Sequence, residues 1–236
     1  MKYITLFEQQ TAFDNTKSTL DKPNMSLVTE TGNVYSLAVG EVKYEYVDLG
    51  LSVKWAKCNV GAEKETDAGL YFAWGETTGY TASQVGIDKQ FSWSDYKYGN
   101  SSSNLTKYNK SDDKTVLESE DDAASQIMGG DWRMPTKAEF QELLNGTTNE
   151  WIANYNGTGV KGWKFTSSNG NSIFIPAAGR CRDGSVDNVG YDGSVWSSPL
   201  YTSSPDYACY LNFGSGNCGM YNYYRCNGLS VRGVRK

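Results

Sequence analysis

The sequence predicts an α+β fold with short strands, one or two helices and much irregular structure. Three observations support this class: one segment carries a complete helix-start pattern, the other apolar segments are short, and glycine-rich stretches separate them. The chain has 236 residues, 25 of them glycine, and 39% of its residues are hydrophobic. A chain of this length and composition can bury a core, and β-rich folds of this size often form one domain.

The first 43 residues differ in pattern from the rest. Phe7–Leu20 mixes apolar and polar residues and is compatible with a short helix. Met25–Thr29 and Asn33–Val39 are predicted as short strands around a Thr-Gly-Asn turn. Because this segment is smaller than most independent domains, we interpret residues 1–43 as an N-terminal attachment or assembly segment and residues 44–236 as the main domain.

The main domain opens with a predicted strand pair over Tyr44–Ala56, and a short buried strand follows at Gly69–Trp74. Residues 94–114 are rich in Ser, Asn, Lys and Asp, which is typical of a surface loop. A helix is predicted over Asp121–Met128, because its acidic start suits the helix dipole and two glycines follow it.

The strongest helix pattern covers Pro135–Leu144. Thr136 is suited to cap its N-terminus, and Glu139 completes a capping box. Its apolar stripe consists of Phe140, Leu143 and Leu144. Only short strands are predicted after it, at Gly162–Ser167, Ser172–Pro176, Val195–Ser197, Ala208–Phe213 and Leu229–Val234.

Charge and residue types argue against several classes of function. The net charge of -5 disfavours general nucleic-acid binding, and no basic run favours a membrane surface. No apolar stretch is long enough to span a membrane, and polar residues interrupt the N-terminus too early for a signal peptide. The absence of His removes the commonest general base and zinc ligand. We therefore expect cytoplasmic synthesis without a signal peptide, no cofactor, no metal site and no catalytic residue.

Cysteines and acidic residues are the remaining candidates for chemistry. The five cysteines are odd in number and irregularly spaced, which favours free thiols over a disulfide framework. Two acidic groups could bind a cation, the first comprising Glu118, Glu120, Asp121 and Asp122, the second Asp183, Asp187, Asp192 and Asp206. Neither group has the spacing of a calcium-binding loop. We expect the first group to be a solvated helix entry.

The last third of the chain has the composition of a binding surface. From Phe165 to Arg235 there is no Lys, Glu or Gln, whereas Tyr, Ser, Gly, Asn and Asp are frequent. Tyr gives a large amphipathic contact area with few rotatable bonds, and the same mixture is typical of antibody paratopes. Composition alone supports equally well a Tyr-rich, loop-rich β domain.

Three segments of the main domain carry a resemblance to known families: Tyr46–Ala56, Gly130–Leu143 and Gly228–Val234. Together they resemble the C-type-lectin-fold domains common in gut bacteria and their phages. The second segment also resembles the Arg-Leu-Pro-Thr-Glu-Ala-Glu-Trp motif of the formylglycine-generating-enzyme superfamily. Within this group, the chain is most similar to variable proteins of diversity-generating retroelements, whose C-terminal repeat is mutated at template adenines.

The resemblance implies a diversified surface on a fixed scaffold. Mutated Asn codons yield mainly Tyr, Ser, Asp, Cys, Gly and Thr but not Lys, Glu or Gln, and the composition of about residues 180–227 agrees with this rule. The constant frame would include Trp196–Ser198, Leu211–Phe213 and Gly228–Arg232. The calcium tripeptides of vertebrate lectins and the copper-binding cysteine pair of the formylglycine enzymes have no counterpart, so neither calcium-dependent sugar binding nor that enzymatic activity is implied.

The predicted function is recognition of a protein or glycan ligand, expected on a bacterial surface, with virion association through residues 1–43 left open. The residues predicted to contact the ligand are Tyr191, Tyr201, Ser203, Asp206, Tyr210, Cys218, Tyr221, Tyr223, Tyr224 and Cys226. Four of these tyrosines (191, 210, 221 and 223) are expected to be clustered and partly exposed, with an irregular loop at Met220–Arg225. Two alternatives stay open: a non-variable carbohydrate-binding or adhesin module, and a degenerate formylglycine-type enzyme acting on a peptide.

Overall fold

The computed structural model describes residues 24–28, 34–38 and 44–236. The chain divides into two compact units, Met1–Lys43 and Tyr44–Lys236. In the first unit, β1 (Asn24–Val28) and β2 (Val34–Ala38) form an antiparallel hairpin, in agreement with the two predicted strands. The helix predicted at Phe7–Leu20 lies outside the described residues.

The second unit is a mixed α+β fold with small sheets and much irregular structure, as the sequence predicts. Its helices are α1 (Ala123–Met128) and α2 (Lys137–Gly146), with 3-10 turns at Ser119–Asp121 and Tyr155–Gly157. Its strands are β3 (Tyr46–Val47), β4 (Lys54–Ala56), β5 (Tyr71–Phe72), β6 (Gly99–Ser101), β7 (Asn104–Leu105), β8 (Thr147–Ile152), β9 (Gly162–Ser167), β10 (Ser172–Pro176), β11 (Arg180–Arg182), β12 (Ser185–Asp187), β13 (Asp192–Leu200), β14 (Tyr207–Gly214), β15 (Asn217–Tyr224), β16 (Leu229–Ser230) and β17 (Val234–Arg235).

A five-stranded sheet with the order β15-β14-β13-β16-β5 is the largest sheet of the second unit. β14 pairs antiparallel with both of its neighbours, whereas β13 and β16 run parallel through the pair Val195–Ser230. Three-stranded sheets form in the orders β10-β9-β8 and β17-β4-β3. Because β16 pairs with β5 and β17 with β4, the last strands close the fold onto the first ones.

Side chains on the two faces of the central sheet pack into two cores. On one face, Val195 and Leu211 pack with Phe140 and Leu143 of α2 in what we call the first core. On the opposite face, Trp196 belongs to the second core. Successive strand residues point to opposite faces, so β13 contributes to both cores. Burial of each large apolar side chain contributes about 1.5–3 kcal/mol to folding.

Helix α2 confirms the predicted capping box. The Thr136 hydroxyl oxygen accepts a hydrogen bond from the Glu139 backbone N–H at 3.2 Å, and the Glu139 carboxylate accepts one from the Thr136 N–H at 2.8 Å. Phe140 and Leu143 are buried as predicted, whereas Leu144 is half-buried. The helix start could be predicted because its determinants are local in sequence.

The acidic group before α1 is solvated only in part: Glu120 is exposed and Glu118 half-buried, but the prediction of a solvated helix entry is wrong for the two aspartates. Asp121 and Asp122 are 2% and 4% exposed. Asp122 accepts a hydrogen bond from the Ser125 backbone N–H at 2.9 Å, so it caps α1 and the helix begins at Ala123 rather than at Asp121. The carboxylate is satisfied by backbone donors and therefore tolerates burial.

The segment predicted as a surface loop, residues 94–114, is only partly a loop. It contains the β6–β7 hairpin, and Tyr96, Tyr98 and Tyr108 are buried. The Tyr96 hydroxyl donates to the Trp74 carbonyl at 2.8 Å. Polar composition predicted exposure, but a tyrosine ring is readily buried when its hydroxyl group finds a partner.

Two C-terminal predictions are wrong in their extent. Most of Met220–Arg225, predicted as an irregular loop, belongs to β15, which pairs with β14 along its whole length. The strand predicted at Leu229–Val234 is two strands, because β16 and β17 pair with different partners. β8 and the β11–β12 hairpin were not predicted. In the part of the chain that the structure describes, no helix is long and apolar enough to cross a membrane.

Candidate functional site

Tyrosine side chains from two neighbouring strands meet on one face of the central sheet. Tyr210 of β14 lies directly opposite Tyr221 of β15, and their ring centroids are 6.4 Å apart. Tyr223, the next residue but one on β15, lies on the same face, with its ring 5.6 Å from that of Tyr210. We call these three rings the tyrosine face. The strand register thus brings three of the predicted ligand contacts together.

The three rings differ in exposure. Tyr221 is 46% exposed, Tyr223 is partly exposed, and Tyr210 is only 7% exposed. The expectation that Tyr210 would be partly exposed is therefore wrong, because its ring packs 6.0 Å from Trp196 in the second core. Burial raises the pKa of Tyr210 to about 12, so its hydroxyl group stays protonated at neutral pH. Tyr221 and Tyr223 form the accessible part of the face, and Tyr210 supports them.

A cation lies beside the tyrosine face. The Arg180 guanidinium carbon is 5.6 Å from the centroid of the Tyr223 ring, within the range of a cation–π contact. A guanidinium nitrogen lies 3.5 Å from the Asp192 carboxylate, which also accepts a hydrogen bond from Asn188 at 2.7 Å. Arg180 was not predicted as a site residue, because only the packing of the β11–β12 hairpin brings it to this face.

A second aromatic group lies at the end of β15. The Tyr224 ring stacks on Tyr207 with centroids 4.3 Å apart, and lies 6.0 Å from Trp93. The hydrogen bond with Tyr224, followed by partial burial, raises the pKa of Tyr207 to about 12. Tyr224 is 38% exposed, so this predicted contact is accessible. Tyr207 and Trp93 were not selected from the sequence, since they join Tyr224 only in the folded chain.

A polar groove of about 450 Å³ lies between residues 102–111 and residues 203–206. Its lining is mostly hydroxyl and amide groups, with Lys110 and Asp206 as charged members. The predicted contacts Ser203 and Asp206 both line this groove. Tyr201 is half-buried beside the same turn, where its backbone N–H donates to the Tyr207 carbonyl at 3.0 Å.

Arg225 holds both walls of this groove. Its side chain is fully buried, and one guanidinium nitrogen donates to the carbonyls of Tyr108 at 2.8 Å and Pro205 at 3.0 Å. A second nitrogen donates to the Lys107 carbonyl at 2.6 Å, and the group packs 5.3 Å from the Trp74 ring. Arg225 therefore positions the end of β15 against two loops. No local pattern in the sequence distinguishes it from a surface arginine.

Three predicted contacts lie apart from these groups. Tyr191 is 73% exposed, but its ring faces the Lys161 ammonium at 5.4 Å, and no ring contact among the described residues joins it to the tyrosine face. The predicted cluster therefore lacks Tyr191. Cys218 packs partly buried against the first core. Cys226 is 3% exposed within the second core, so it is a core residue and not a surface contact.

The segments expected to form a constant frame are buried, except for Asn212, which is half-buried. Trp196, Leu211 and Phe213 have no measurable exposure, and every residue of Gly228–Arg232 is buried. The region of about 180–227 is consequently not one continuous surface, because core and surface side chains alternate along its strands. All five cysteines are unpaired.

A lysine side chain contacts three carboxylates of the first acidic group. The Lys107 ammonium nitrogen lies 2.6 Å from Glu118, 3.6 Å from Glu120 and 2.5 Å from Asp121. The Tyr108 hydroxyl also donates to Asp121 at 2.7 Å. This arrangement ties a loop to the helix start and occupies the position that a cation would take.

The second acidic group does not converge on one point. Asp183 and Asp187 both approach Arg182, at 3.8 and 3.6 Å. Asp192 pairs with Arg180, and Asp206 accepts a hydrogen bond from the Ser204 hydroxyl at 2.6 Å. Asp183 and Asp187 thus share Arg182, whereas Asp192 and Asp206 have separate partners.

The tyrosine face offers ring surfaces for stacking, phenol groups for hydrogen bonding and a guanidinium group for an acceptor. These groups suit non-covalent recognition. Comparisons of the chain with protein-family models, curated proteins and solved structures found no match.

Proposed function

We propose that this is a ligand-binding protein that recognises its partner through the tyrosine face. The observation that carries the proposal is the placement of Tyr221 and Tyr223, two accessible rings on one strand beside the Arg180 guanidinium. Tyr and Arg are enriched at the residues that dominate binding energy in protein interfaces. The paired strand and the supporting Tyr210 ring fix the face in advance, which reduces the entropy lost on binding.

We further propose that the scaffold is of the C-type lectin type and that its Tyr-rich strand is diversified, as in variable proteins of diversity-generating retroelements. The burial of the expected frame and the partial exposure of β15 support this proposal. The ligand is then a protein or glycan on a bacterial surface, and residues 1–43 attach the domain to a larger particle. Inspection of the neighbouring DNA tests this: a reverse-transcriptase gene and a near-copy of the 3′ end that differs at adenines are expected.

Binding of the labelled full chain to a panel of intact bacterial strains tests the binding face. The double variant Tyr221→Ser/Tyr223→Ser should weaken binding about 30-fold or more, as expected for loss of interface hot spots. Tyr46→Ser is the matched control, because Tyr46 is 48% exposed and Tyr221 46%. Equal binding by the double variant and the control on a strain that binds the wild type would refute the proposed face.

A second candidate function, carbohydrate binding, is favoured by the polar groove. Hydroxyl, amide and carboxylate groups such as those of Ser203 and Asp206 match the hydrogen-bonding groups of a sugar. A glycan panel measured with and without calcium separates this candidate from protein recognition. The variant Asp206→Asn should abolish glycan binding if the groove is the site, whereas Tyr221→Ser should not.

A further inference from the structure

We propose that β15 is a self-association edge, at which two copies of the chain join their central sheets by antiparallel strand pairing. β15 is the terminal strand of the five-stranded sheet, and its one described neighbour is β14. The register with β14 runs from Tyr207–Tyr224 to Gly214–Asn217 without a shift. A straight edge of this kind presents unpaired backbone groups to solvent and is a template for another strand.

The hydrogen-bonding direction of each β15 residue follows from its register. Arg225 N–H donates to the Asp206 carbonyl at 3.1 Å, so Arg225 faces β14. Backbone groups alternate in direction along a strand, so the odd-numbered residues of β15 face β14 and the even-numbered ones face outward. The outward groups include those of Cys218, Met220 and Asn222. Apart from the ladder between β14 and β15, the described structure has no backbone hydrogen bond to any of these three residues.

The usual protections of an edge strand are missing from β15. Protein edges are commonly blocked by lysine, proline, a bulge or an inward-pointing charge. The sequence of Asn217–Tyr224 contains no charged residue and no proline. Two copies can therefore approach along this edge without repulsion between like charges.

The partner to which the edge is complementary is a second copy of itself. A two-fold axis at Met220 places Met220 opposite its own copy and Cys218 opposite Asn222, so all three outward residues are paired. The same register places Tyr221 opposite Gly219 of the other copy. Gly219 has no side chain to obstruct the Tyr221 ring, so the Tyr221 rings of the two copies fit beside each other at the axis. Because the axis is perpendicular to the sheet, both tyrosine faces lie on the same side of the joined sheet.

Sedimentation velocity of the full chain under reducing conditions tests the proposal. An eight-residue edge is small compared with permanent interfaces, so we expect a dissociation constant on the order of 10 µM and measure from about 1 to about 200 µM. The variant Gly219→Glu should weaken the dimer about tenfold or more, because its side chain enters the space at the axis. In the monomer, a Cβ at Gly219 meets the Tyr221 ring at 3.5 Å, an ordinary contact.

The control is Ser168→Glu, which adds the same charge at an exposed position in the turn between β9 and β10, outside the five-stranded sheet. It should associate like the wild type.

Asn222→Pro is a second edge variant that removes an outward N–H without touching the β14 pairing, and it should also weaken the dimer. Far-UV circular dichroism confirms that each variant is folded. A wild type that stays monomeric throughout, or edge variants that associate as strongly as Ser168→Glu, would overturn the proposal. It does not depend on any ligand, so it can fail while the proposed function stands.

Discussion

Two adjacent segments near the end of the chain have similar compositions and opposite environments. Asn217–Tyr224 and Arg225–Val234 both lack Lys, Glu and Gln, and each contains a cysteine and glycine. The first segment is partly exposed along β15, whereas every residue of the second is buried. The charged residues, Arg225 and Arg232, are in the buried segment. The burial of these two arginines therefore depends on their hydrogen-bonding partners, which polarity alone does not indicate.

The buried arginines show how the second segment tolerates charge. Arg232 donates to the carbonyls of Ala56 and Phe174 at 2.9 and 3.0 Å and to the Asn59 side-chain oxygen at 2.9 Å. Burial lowers the pKa of Arg232 to about 10, so it remains a cation at neutral pH. Carbonyl and amide oxygens replace its hydration, which is the condition for burying a charged group.

The largest expected effect is from Arg232→Met. The substitution fills much of the volume but leaves several buried oxygens without a donor, so we expect a loss of about 5 kcal/mol in unfolding free energy. Urea unfolding at pH 7 measures it. The control is Arg235→Met, since Arg235 is a partly exposed residue paired with Asp131 at 2.8 Å and should lose about 0.5 kcal/mol. Similar losses in both variants would remove the contrast between the buried and the exposed arginine.

A smaller loss of stability is expected from Asp121→Asn. This substitution weakens the attachment of the loop whose carbonyl groups Arg225 binds on the opposite side. Burial raises the pKa of Asp121, but hydrogen bonds from Lys107 and two tyrosines outweigh burial and lower it to about 2. Loss of these charged hydrogen bonds should destabilise the protein by about 2 kcal/mol at pH 7.

The pH dependence of this difference has a definite sign. The folded pKa of Asp121 is depressed from 3.8 to about 2, so its stabilisation is complete above pH 4 and is lost as the pH falls towards 2. The gap between wild type and Asp121→Asn should therefore shrink across that range in urea unfolding at stepped pH. A gap that stays constant from pH 7 to pH 2 would show that the charge of Asp121 contributes nothing.

The double substitution Tyr221→Ser/Tyr223→Ser should cost about 1 kcal/mol or less, because Tyr221 is half exposed and Tyr223 only borders the second core. Trp196→Ala provides the contrast: Trp196 is fully buried, and its loss should cost about 4 kcal/mol. Thermal unfolding followed by circular dichroism gives both values. Comparable losses would mean that the tyrosine face is core and not a binding surface.

The smallest expected difference is in the reactivity of two native thiols, one from Asn217–Tyr224 and one from Arg225–Val234. Burial raises the pKa of both Cys218 and Cys226 to about 12, so both should react slowly at neutral pH. Cys226 is 3% exposed and Cys218 is partly exposed, so iodoacetamide should modify Cys218 first. Peptide mass spectrometry over time gives the two rates. Faster modification of Cys226 would reverse the assignment of core and surface.

Features whose causes lie within a few residues could be predicted from the sequence. The capping box of α2 and the strands β9 and β10 are at their predicted positions because caps and apolar alternation are local. β15 could not be predicted, because its tyrosines occur on both faces and no simple alternation results. The roles of Arg180, Arg225 and Arg232 depend on partners distant in sequence, so no local pattern indicates them.

The contacts of Arg232 and β17 also determine when the second unit can complete its fold during synthesis. β17 pairs with β4, and Arg232 binds carbonyls of the chain at Ala56 and Lys57, which leave the ribosome far earlier. Until residues 229–235 emerge, β4 and β5 have no C-terminal partners and their apolar side chains remain available for wrong contacts. The second unit therefore depends on residues 229–235 to join β4 and β5 to its later strands, and the tyrosine-bearing strands β14 and β15 are synthesised shortly before these residues.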